Sequence, residues 1–241
     1  MAPVSVADCL TTSQWAVHIA ETLQTPVIVL SDQALGQARA IVQRPNDDGL
    51  IGQRRVPTQI DETYQRYAVN DSGVSPMALP GMQGGQYTAD GLAHNPRGTP
   101  SSQFNDHRTQ LDKRARKLND YDFGDSWALQ EGNQDADTAV ITWGSCCGPV
   151  REALSELRES GLAIRFLAPR LLAPAQPARM ADALRGVNRL LIVEQTHSGQ
   201  YYRYLRAYYD LPGEVRSLSV PGPLPIRPAD IRRALSQWSA T

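Results

Sequence analysis

The chain has 241 residues, 41 % of them hydrophobic and 20 % charged, enough to bury a core in one large or two smaller domains. Its formal net charge of −1 supplies no long-range field toward nucleic acid or an anionic membrane, so we expect neither as a partner. Three cysteines are too few for a disulfide framework, and the longest apolar runs, 26–30 and 190–193, are far shorter than a membrane span. The opening MAPVSVADCL lacks the basic start of a signal peptide. We therefore expect a cytoplasmic protein.

The first zone predicts one helix and one strand. Apolar residues recur through Val6–Leu23 at helical spacing, and Thr25-Pro26 ends the pattern. PVIVL at 26–30 is apolar on both faces, which is typical of a strand in a parallel sheet. One helix and one strand cannot form a core, so this zone must pack on something else.

The second zone, about 33–135, has no strong periodicity and is rich in Gly, Pro, Asn and Asp. Because Val, Met, Leu, Tyr and Phe are interspersed, we expect ordered, partner-packed segments rather than disorder. A charged helix is predicted over about 105–119 and contains LDKRARKL. We interpret its basic face as a solvated surface, with an anion site as the alternative.

The third zone, 136–241, alternates strictly between strand and helix patterns. Strands are predicted in ADTAVITWG, LAIRFLAP, NRLLIVEQ and EVRSLSV, and the helices between and after them begin near Pro149, Pro177, Gly199 and Pro228. Such alternation over about 105 residues predicts an α/β domain with a parallel sheet and helices on both faces.

Common cofactor motifs are missing from the sequence. It contains no G-x-G-x-x-G after a strand, no P-loop, no C-x-x-C and no H-E-x-x-H. The residues therefore support no dinucleotide fingerprint and no metal site on this chain.

ITWGSCCGPVREAL, at 141–154, places two adjacent cysteines in a strand-to-helix turn. Cys146 and Cys147 would suit a nucleophile or a thiol switch, but no histidine stands nearby as a base, and we favour small residues in a tight turn. Gly144 and Ser145 could instead present backbone N–H groups to an anion at the helix start.

Two of the four histidines stand in Gly-rich loops, where polar residues are often functional. His94 lies in GLAHNPRG, and His197 directly follows a strand at the edge where open α/β sheets bind ligands. Each could contact a ligand or brace its loop by a hydrogen bond.

Four stretches in order carry a family resemblance: ETLQTPVIVLSDQAL, DSGVSPMALPGMQGGQYTADGLAHNPRGTPSS, WGSCCGPVREAL and VEQTHSGQYYRYLR. They resemble the alpha subunit of the 2-oxoacid:ferredoxin (acceptor) oxidoreductases, especially the 2-oxoglutarate type. The resemblance implies three segments: the C-terminal end of a pyrimidine-binding-type thiamine domain (1–35), a loop-rich connector with a charged helix (36–135), and an α/β domain like the transketolase C-terminal domain (136–241).

The resemblance also implies a multi-subunit enzyme that oxidises a 2-oxoacid with CoA and reduces ferredoxin. A beta subunit would hold thiamine diphosphate with Mg and a 4Fe-4S cluster, and a gamma-type domain could complete the assembly. The glutamate that activates thiamine would lie upstream of Met1, so we expect no catalytic residue on this chain and no turnover by it alone. The chain would then be a fragment or one piece of a split system.

The substrate pocket would be walled by the 75–94 loop, with Ser75, Met77, Gln86 and His94 as candidates, while Gly144, Ser145 and His197 would meet an anion or CoA. Met77 replaces an arginine common in 2-oxoglutarate-type members, and Ala93 replaces a common acidic residue, so pyruvate or another 2-oxoacid remains open. Two other hypotheses remain: a non-catalytic assembly subunit, and a flavodoxin-like cofactor binder using 144–148 and 196–200.

Overall fold

A computed structural model describes residues 1–44 and 50–238. The chain divides into two compact units, whose division falls within the first helix. The first comprises 1–13, 28–46 and 123–241 and the second 14–27 and 47–122, in each case as far as the chain is described. Among the described residues, no helix combines the length and the apolarity needed to cross a lipid bilayer.

The described residues form seven helices and five strands, with short 3₁₀ turns at Asp125–Trp127 and Gly144–Cys146. The helices are α1 (Asp8–Leu23), α2 (Gln33–Gln37), α3 (Phe104–Asn119), α4 (Cys147–Glu159), α5 (Pro177–Ala183), α6 (Gln200–Tyr208) and α7 (Pro228–Ser236). The strands are β1 (Ala128–Glu131), β2 (Thr138–Ile141), β3 (Arg165–Pro169), β4 (Arg189–Glu194) and β5 (Glu214–Ser219).

The first unit contains one five-stranded sheet in the order β1-β3-β2-β4-β5. The pairs β2·β3, β2·β4 and β4·β5 are parallel, with Val140 opposite Phe166 and Leu191. β1 runs antiparallel to β3 at one edge, with Ala128 opposite Pro169. This arrangement confirms the predicted α/β class with a mostly parallel sheet.

The core of this unit lies where α4 and α7 pack against the sheet. Apolar side chains at helical spacing on α4 meet inward-facing residues of the central strands, because i, i+3 and i+4 positions share one helix face. The fully buried members include Val140, Val150, Leu154, Phe166, Leu191 and Ile231. β2, β3 and β4 are buried along nearly their whole length, as expected of central parallel strands.

A buried ion pair fixes the start of the chain to the first unit. The Arg170 guanidinium donates through Nε to both carboxylate oxygens of Asp8, at 3.0 and 2.9 Å, and Nη1 donates to the Ser126 carbonyl. Asp8 Oδ2 also accepts from the backbone N–H of Val4 and the hydroxyl of Thr12. The pair is charge-assisted and has its remaining lone pairs satisfied, the condition under which a buried pair is tolerated.

The second unit consists of the rest of α1, the segment that follows residue 49, and α3. Side chains of α3 hold the loop backbone: Gln110 donates to the Tyr67 carbonyl, and Arg116 donates to the carbonyls of Asn70 and Asp71. The long loop is therefore ordered where it is described, because α3 supplies donors that its irregular backbone cannot provide for itself. Packing of this zone against a partner stays a prediction.

Two sequence predictions of secondary structure were wrong. The strand predicted over 26–30 does not form: Ile28 and Leu30 make only two backbone hydrogen bonds, both to Met1, and their side chains are 72 % and 44 % exposed. An apolar run becomes a strand only if neighbouring strands offer a ladder, and here the described residues offer none. β1 was missed because four residues within a loop-rich zone carry no usable periodicity.

The helix boundaries follow the prolines with one exception. Pro177 and Pro228 are the first residues of α5 and α7, as predicted, since a fixed φ and a missing N–H suit that position. α4 instead begins at Cys147, because the 3₁₀ turn before it runs directly into the helix, so Pro149 is its third residue.

Candidate functional site

Open α/β sheets bind ligands at the carboxyl ends of their strands, and at the end of β4 the Glu194 side chain already occupies the N-terminus of α6. Glu194 is 1 % exposed, and its carboxylate accepts from the N–H groups of Tyr201 at 2.8 Å and Tyr202 at 2.9 Å. It also accepts from the Thr196 hydroxyl at 2.7 Å. The positive end of α6 is thus neutralised from within, while His197 beside it is exposed.

A carboxylate also lies against the turn that precedes α4. Gly144 has φ +63, in the region that favours glycine, and the Ser145 hydroxyl donates to Asp32 Oδ2. Asp32 in turn caps α2 by accepting from the Leu35 N–H at 2.9 Å. Ser145 therefore meets an anion, and that anion belongs to this chain. Binding of an external anion or CoA at Gly144, Ser145 and His197 stays a prediction.

The two adjacent cysteines are structural. Cys147 is fully buried, and burial raises the pKa of its thiol to about 12. Burial likewise raises the pKa of Cys146 above its usual value. Because the thiolate is the reactive form, both side chains are held inert, which agrees with the interpretation as small residues in a turn.

An apolar recess lies near the same strand ends. It has a volume of about 260 Å³ and is lined in part by Trp143, Leu172, Tyr201 and Tyr204. The Tyr204 hydroxyl donates to the Leu172 carbonyl, so its ring is held at the wall. The recess offers aromatic surface without an opposing charge, which makes it a weaker candidate than the cavity of the second unit.

The strongest candidate site is a cationic cavity of about 160 Å³ in the second unit. α3 contributes Gln110, Lys113, Arg114 and Lys117 at i, i+3, i+4 and i+7, so all four share one helix face. The end of α1 contributes Leu23 and the Gln24 that follows it. The loop side is formed by six residues: Arg66, Tyr67, Gly73, Val74, Ser75 and His94.

Lys113 is the central side chain of this cavity. It is 5 % exposed, and its ammonium donates to the Tyr67 carbonyl at 3.1 Å and to the Ser75 hydroxyl. The Ser75 hydroxyl in turn donates a hydrogen bond to the Ala68 carbonyl at 2.6 Å. These hydrogen bonds fix the orientation of the Lys113 ammonium, because both of its acceptors, the Tyr67 carbonyl and the Ser75 hydroxyl, are themselves held by hydrogen bonds.

The electrostatic environment of Lys113 is unfavourable to its charge. Its pKa is lowered to about 8, first by burial and then by four cations: Arg66, Lys117, Arg116 and Arg114. The pKa of Lys117 is also lowered, by burial and by Arg66 and Arg114. Like charges held close together in a partly dry site disfavour the protonated form of each.

The structure brings together two of the four predicted substrate-side residues. Ser75 and His94 both line the cavity, and the His94 ring lies 3.8 Å from the Tyr67 ring, centroid to centroid. Met77 is half-buried and Gln86 is exposed, and neither lines this cavity. Their role in substrate binding stays a prediction.

Three cavity residues, Arg66, Lys113 and Lys117, were not among the site residues predicted from the sequence. The interpretation of the basic helix as a solvated face was wrong for Lys113, because α3 turns that side chain toward the loop. A usable signal was present in the sequence: the chain has 24 basic residues, only two of which are lysines, and these two are one helical turn apart.

Among the described residues, no three His, Cys, Asp or Glu side chains come together as a group that could hold a metal ion. The cationic cavity is also smaller than the roughly 300 Å³ that an organic ligand of drug size occupies.

Two family profiles match the chain. Residues 1–113 match the family described as "Pyruvate flavodoxin/ferredoxin oxidoreductase, thiamine diP-bdg", and residues 136–218 match "Pyruvate:ferredoxin oxidoreductase core domain II". The first match includes residues of both compact units, and the second lies within the first unit.

Curated relatives agree with these profiles. The chain is 28 % identical over 221 residues to 2-oxoacid:ferredoxin oxidoreductase 2, subunit alpha, of Aeropyrum pernix, covering 89 % of this chain and 34 % of the relative. It is 30 % identical over 211 residues to 2-oxoglutarate oxidoreductase subunit KorA of Mycobacterium tuberculosis, covering 87 % and 32 %. The chain thus spans about a third of the length of these relatives.

A solved structure matches nearly the whole chain. The 2-oxoglutarate:ferredoxin oxidoreductase from Magnetococcus marinus, with 2-oxoglutarate, coenzyme A and succinyl-CoA bound, superposes with a TM-score of 0.85 at 30 % identity. The match covers 98 % of this chain and 41 % of that one.

The fold and these matches define a protein of mixed α/β class that carries a thiamine-family segment followed by a mostly parallel sheet domain. The chain belongs to the 2-oxoacid:ferredoxin oxidoreductase family, with relatives that are alpha subunits. The resemblance seen in the sequence is thereby confirmed.

Proposed function

We propose that this chain is the C-terminal part of an alpha-type subunit in a thiamine-dependent 2-oxoacid:ferredoxin oxidoreductase. The reaction is oxidative decarboxylation of a 2-oxoacid with CoA, giving acyl-CoA, CO₂ and reduced ferredoxin. The observation that carries the proposal is the superposition of nearly the whole chain on a 2-oxoglutarate:ferredoxin oxidoreductase at 30 % identity.

Thiamine diphosphate would supply the carbanion chemistry, held with Mg on a beta subunit that also carries a 4Fe-4S cluster. This chain's own share is to wall the substrate pocket with the 75–94 loop and to stabilise the assembly through its α/β domain. Ferredoxin is the proposed acceptor, a gamma-type domain is a possible further component, and the proposed location is the cytoplasm.

Within this proposal the chain has three segments. Residues 1–35 form the C-terminal end of a pyrimidine-binding-type thiamine domain, 36–135 a connector with the charged helix, and 136–241 the α/β domain. The two profile matches, at 1–113 and 136–218, support a boundary close to residue 136.

We propose 2-oxoglutarate as the substrate, with pyruvate or another 2-oxoacid as the alternative. The relatives named for 2-oxoglutarate support the first, and Met77 supports the second, because a thioether cannot form a charge-assisted pair with a distal carboxylate.

A reconstitution experiment tests the reaction. The chain is co-expressed with neighbouring reading frames, and the purified complex is assayed for CoA-dependent reduction of ferredoxin by 2-oxoglutarate and by pyruvate. If the complex contains thiamine and iron but does not reduce ferredoxin with any 2-oxoacid tested, the result would support the rival proposal, a non-catalytic assembly subunit.

The variant Met77→Arg tests the substrate assignment in the same complex. We expect the ratio of kcat/KM for 2-oxoglutarate over pyruvate to rise at least tenfold, about 1.4 kcal/mol of added discrimination from one charge-assisted pair. Gln103→Arg, at an exposed position outside the 75–94 loop, is the matched control. Equal ratios in Met77→Arg and wild type would remove Met77 from the substrate pocket.

A further inference from the structure

Both lysines of the chain lie at one cavity, together with two arginines. Lys113 and Lys117 are the only lysines among 24 basic residues, and both line the cavity of the second unit with Arg66 and Arg114. We propose that this cavity is a binding site for a small oxyanion, namely a carboxylate or an inorganic phosphate, with Lys113 as its anchoring cation.

The charge balance of the cavity favours an anion. The charged groups that act most strongly on Lys113 are all positive: Arg66, Lys117, Arg116 and Arg114. None of these four forms a salt bridge with a carboxylate among the described residues. Buried charges in proteins are normally paired, because an unpaired one loses its hydration without compensation. An oxyanion would supply the missing partner for several cations at once.

The cavity also retains hydrogen-bond donors for such a ligand. The Lys113 ammonium has three N–H groups and uses two of them, on the Tyr67 carbonyl and the Ser75 hydroxyl. Arg66 donates through its terminal nitrogens to Gln24 and to the Ser75 carbonyl, while its Nε is buried with no partner in the structure. Unused donors on two adjacent cations match the oxygens of one carboxylate or phosphate.

The size of the cavity limits the ligand. A volume of about 160 Å³ accommodates a phosphate or one end of a short organic acid, and it is below the roughly 300 Å³ expected for a larger organic ligand. The mouth is polar because Arg114 is exposed, so an anion can approach from solvent.

The scarcity of amines permits a direct test on a polypeptide of these 241 residues. Its amines are Lys113, Lys117 and the α-amine of Met1, which donates to the Ile28 carbonyl at 2.8 Å. Trace acetylation at pH 7.5, read by peptide mass spectrometry, gives a rate for each amine. We expect millimolar 2-oxoglutarate or phosphate to slow acetylation of Lys113 at least fivefold relative to Met1, since the bound anion favours the unreactive protonated form.

Two matched variants on α3 distinguish anion binding in the cavity from nonspecific electrostatic screening by salt. Arg114→Gln removes a cation that lines the cavity, and Arg108→Gln removes an exposed cation of the same helix that does not. Arg114→Gln should weaken the protection of Lys113 from acetylation by roughly two- to fivefold, the effect expected from the loss of one exposed charge. Arg108→Gln should leave this protection unchanged. Arg66→Gln should abolish it, with circular dichroism as the check of folding.

The salts distinguish the possible ligands. Protection by phosphate, by carboxylates or by both supports the proposal and assigns the chemistry. Equal protection by sodium chloride at matched ionic strength, no protection at all, or equal protection in Arg114→Gln and Arg108→Gln would overturn it. The inference does not depend on the proposed reaction, because the assay needs neither turnover nor a partner subunit.

Discussion

The buried carboxylate at the start of α6 gives a quantitative prediction. Glu194 lies at the end of β4, is 1 % exposed and accepts three hydrogen bonds, from Thr196, Tyr201 and Tyr202. The variant Glu194→Gln keeps the shape of the side chain and removes its charge. It therefore asks whether the attraction to these donors exceeds the cost of burying a carboxylate.

The magnitude follows from the donors. The glutamine oxygen can keep the two bonds made by Oε2, but its NH₂ group then faces the Tyr202 N–H, so one charge-assisted bond worth about 1.5–3 kcal/mol is lost. The two remaining bonds become neutral, and the interaction with the helix dipole is lost as well. We expect a total loss of about 3 kcal/mol in the free energy of unfolding.

Urea unfolding, followed by circular dichroism, measures the difference between wild type and variant. The control is Glu152→Gln, which removes the same charge from an exposed position of α4 and should change stability by less than about 0.5 kcal/mol. A loss below about 1 kcal/mol for Glu194→Gln, or a gain, would mean that desolvation outweighs the three bonds, and the reasoning would be wrong.

Three further predictions follow from the buried thiol, the cationic cavity and a constrained glycine. The thiol of Cys147 has a pKa of about 12 and should react slowly with a disulfide reagent at pH 8. We expect its rate in the native chain to be at least about 100 times lower than in urea, where the pKa returns to its usual value. Similar rates in the native and the unfolded chain would refute the burial of Cys147. Because the folded pKa of Lys113, about 8, lies below its unfolded value, the folded state binds fewer protons above pH 8, and stability should rise with pH between about 8 and 9.5. The slope is at most about 1.4 kcal/mol per pH unit, and Lys113→Met should flatten it; parallel pH profiles for the two proteins would contradict this cause. Gly213→Ala places a Cβ 2.1 Å from the Asn188 carbonyl oxygen at φ +65, and should cost about 3 kcal/mol or more in a thermal melt. Gly144→Ala, at φ +63 in open space, should cost only about 1 kcal/mol, and equal losses would show that backbone strain alone decides.

The sequence was sufficient for the elements whose signals are local. Pro177 and Pro228 start their helices because a proline's own geometry fixes that choice, and the apolar run at Arg189–Glu194 forms a buried strand because two parallel neighbours flank it. The run at 26–30 looks equally strand-like in sequence, yet it has no such neighbours among the described residues. Strand pairing is non-local, so composition alone could not distinguish these two runs.

The candidate site was predictable only in part for a similar reason. His94 was proposed because it stands in a Gly-rich loop, and Ser75 because it lies in a stretch that carries the family resemblance; both line the cavity. Lys113 was predicted to be solvated because a sequence does not show which face of a helix packs against the rest of the chain. The loop that covers Lys113 is distant in sequence, since Ser75 lies 38 residues before it. Which side of α3 is covered depends on tertiary contacts.

The antiparallel strand at the sheet edge has a consequence for self-association. β1 pairs with β3 over only four residues and runs against the other strands, so one edge of the sheet presents little template for another chain. At the opposite edge, the Arg216 guanidinium on β5 stacks 4.6 Å from the Trp238 ring and pairs with Glu214. The short strand at one edge and the charged side chains at the other oppose intermolecular strand addition, so the sheet resists amyloid-like growth.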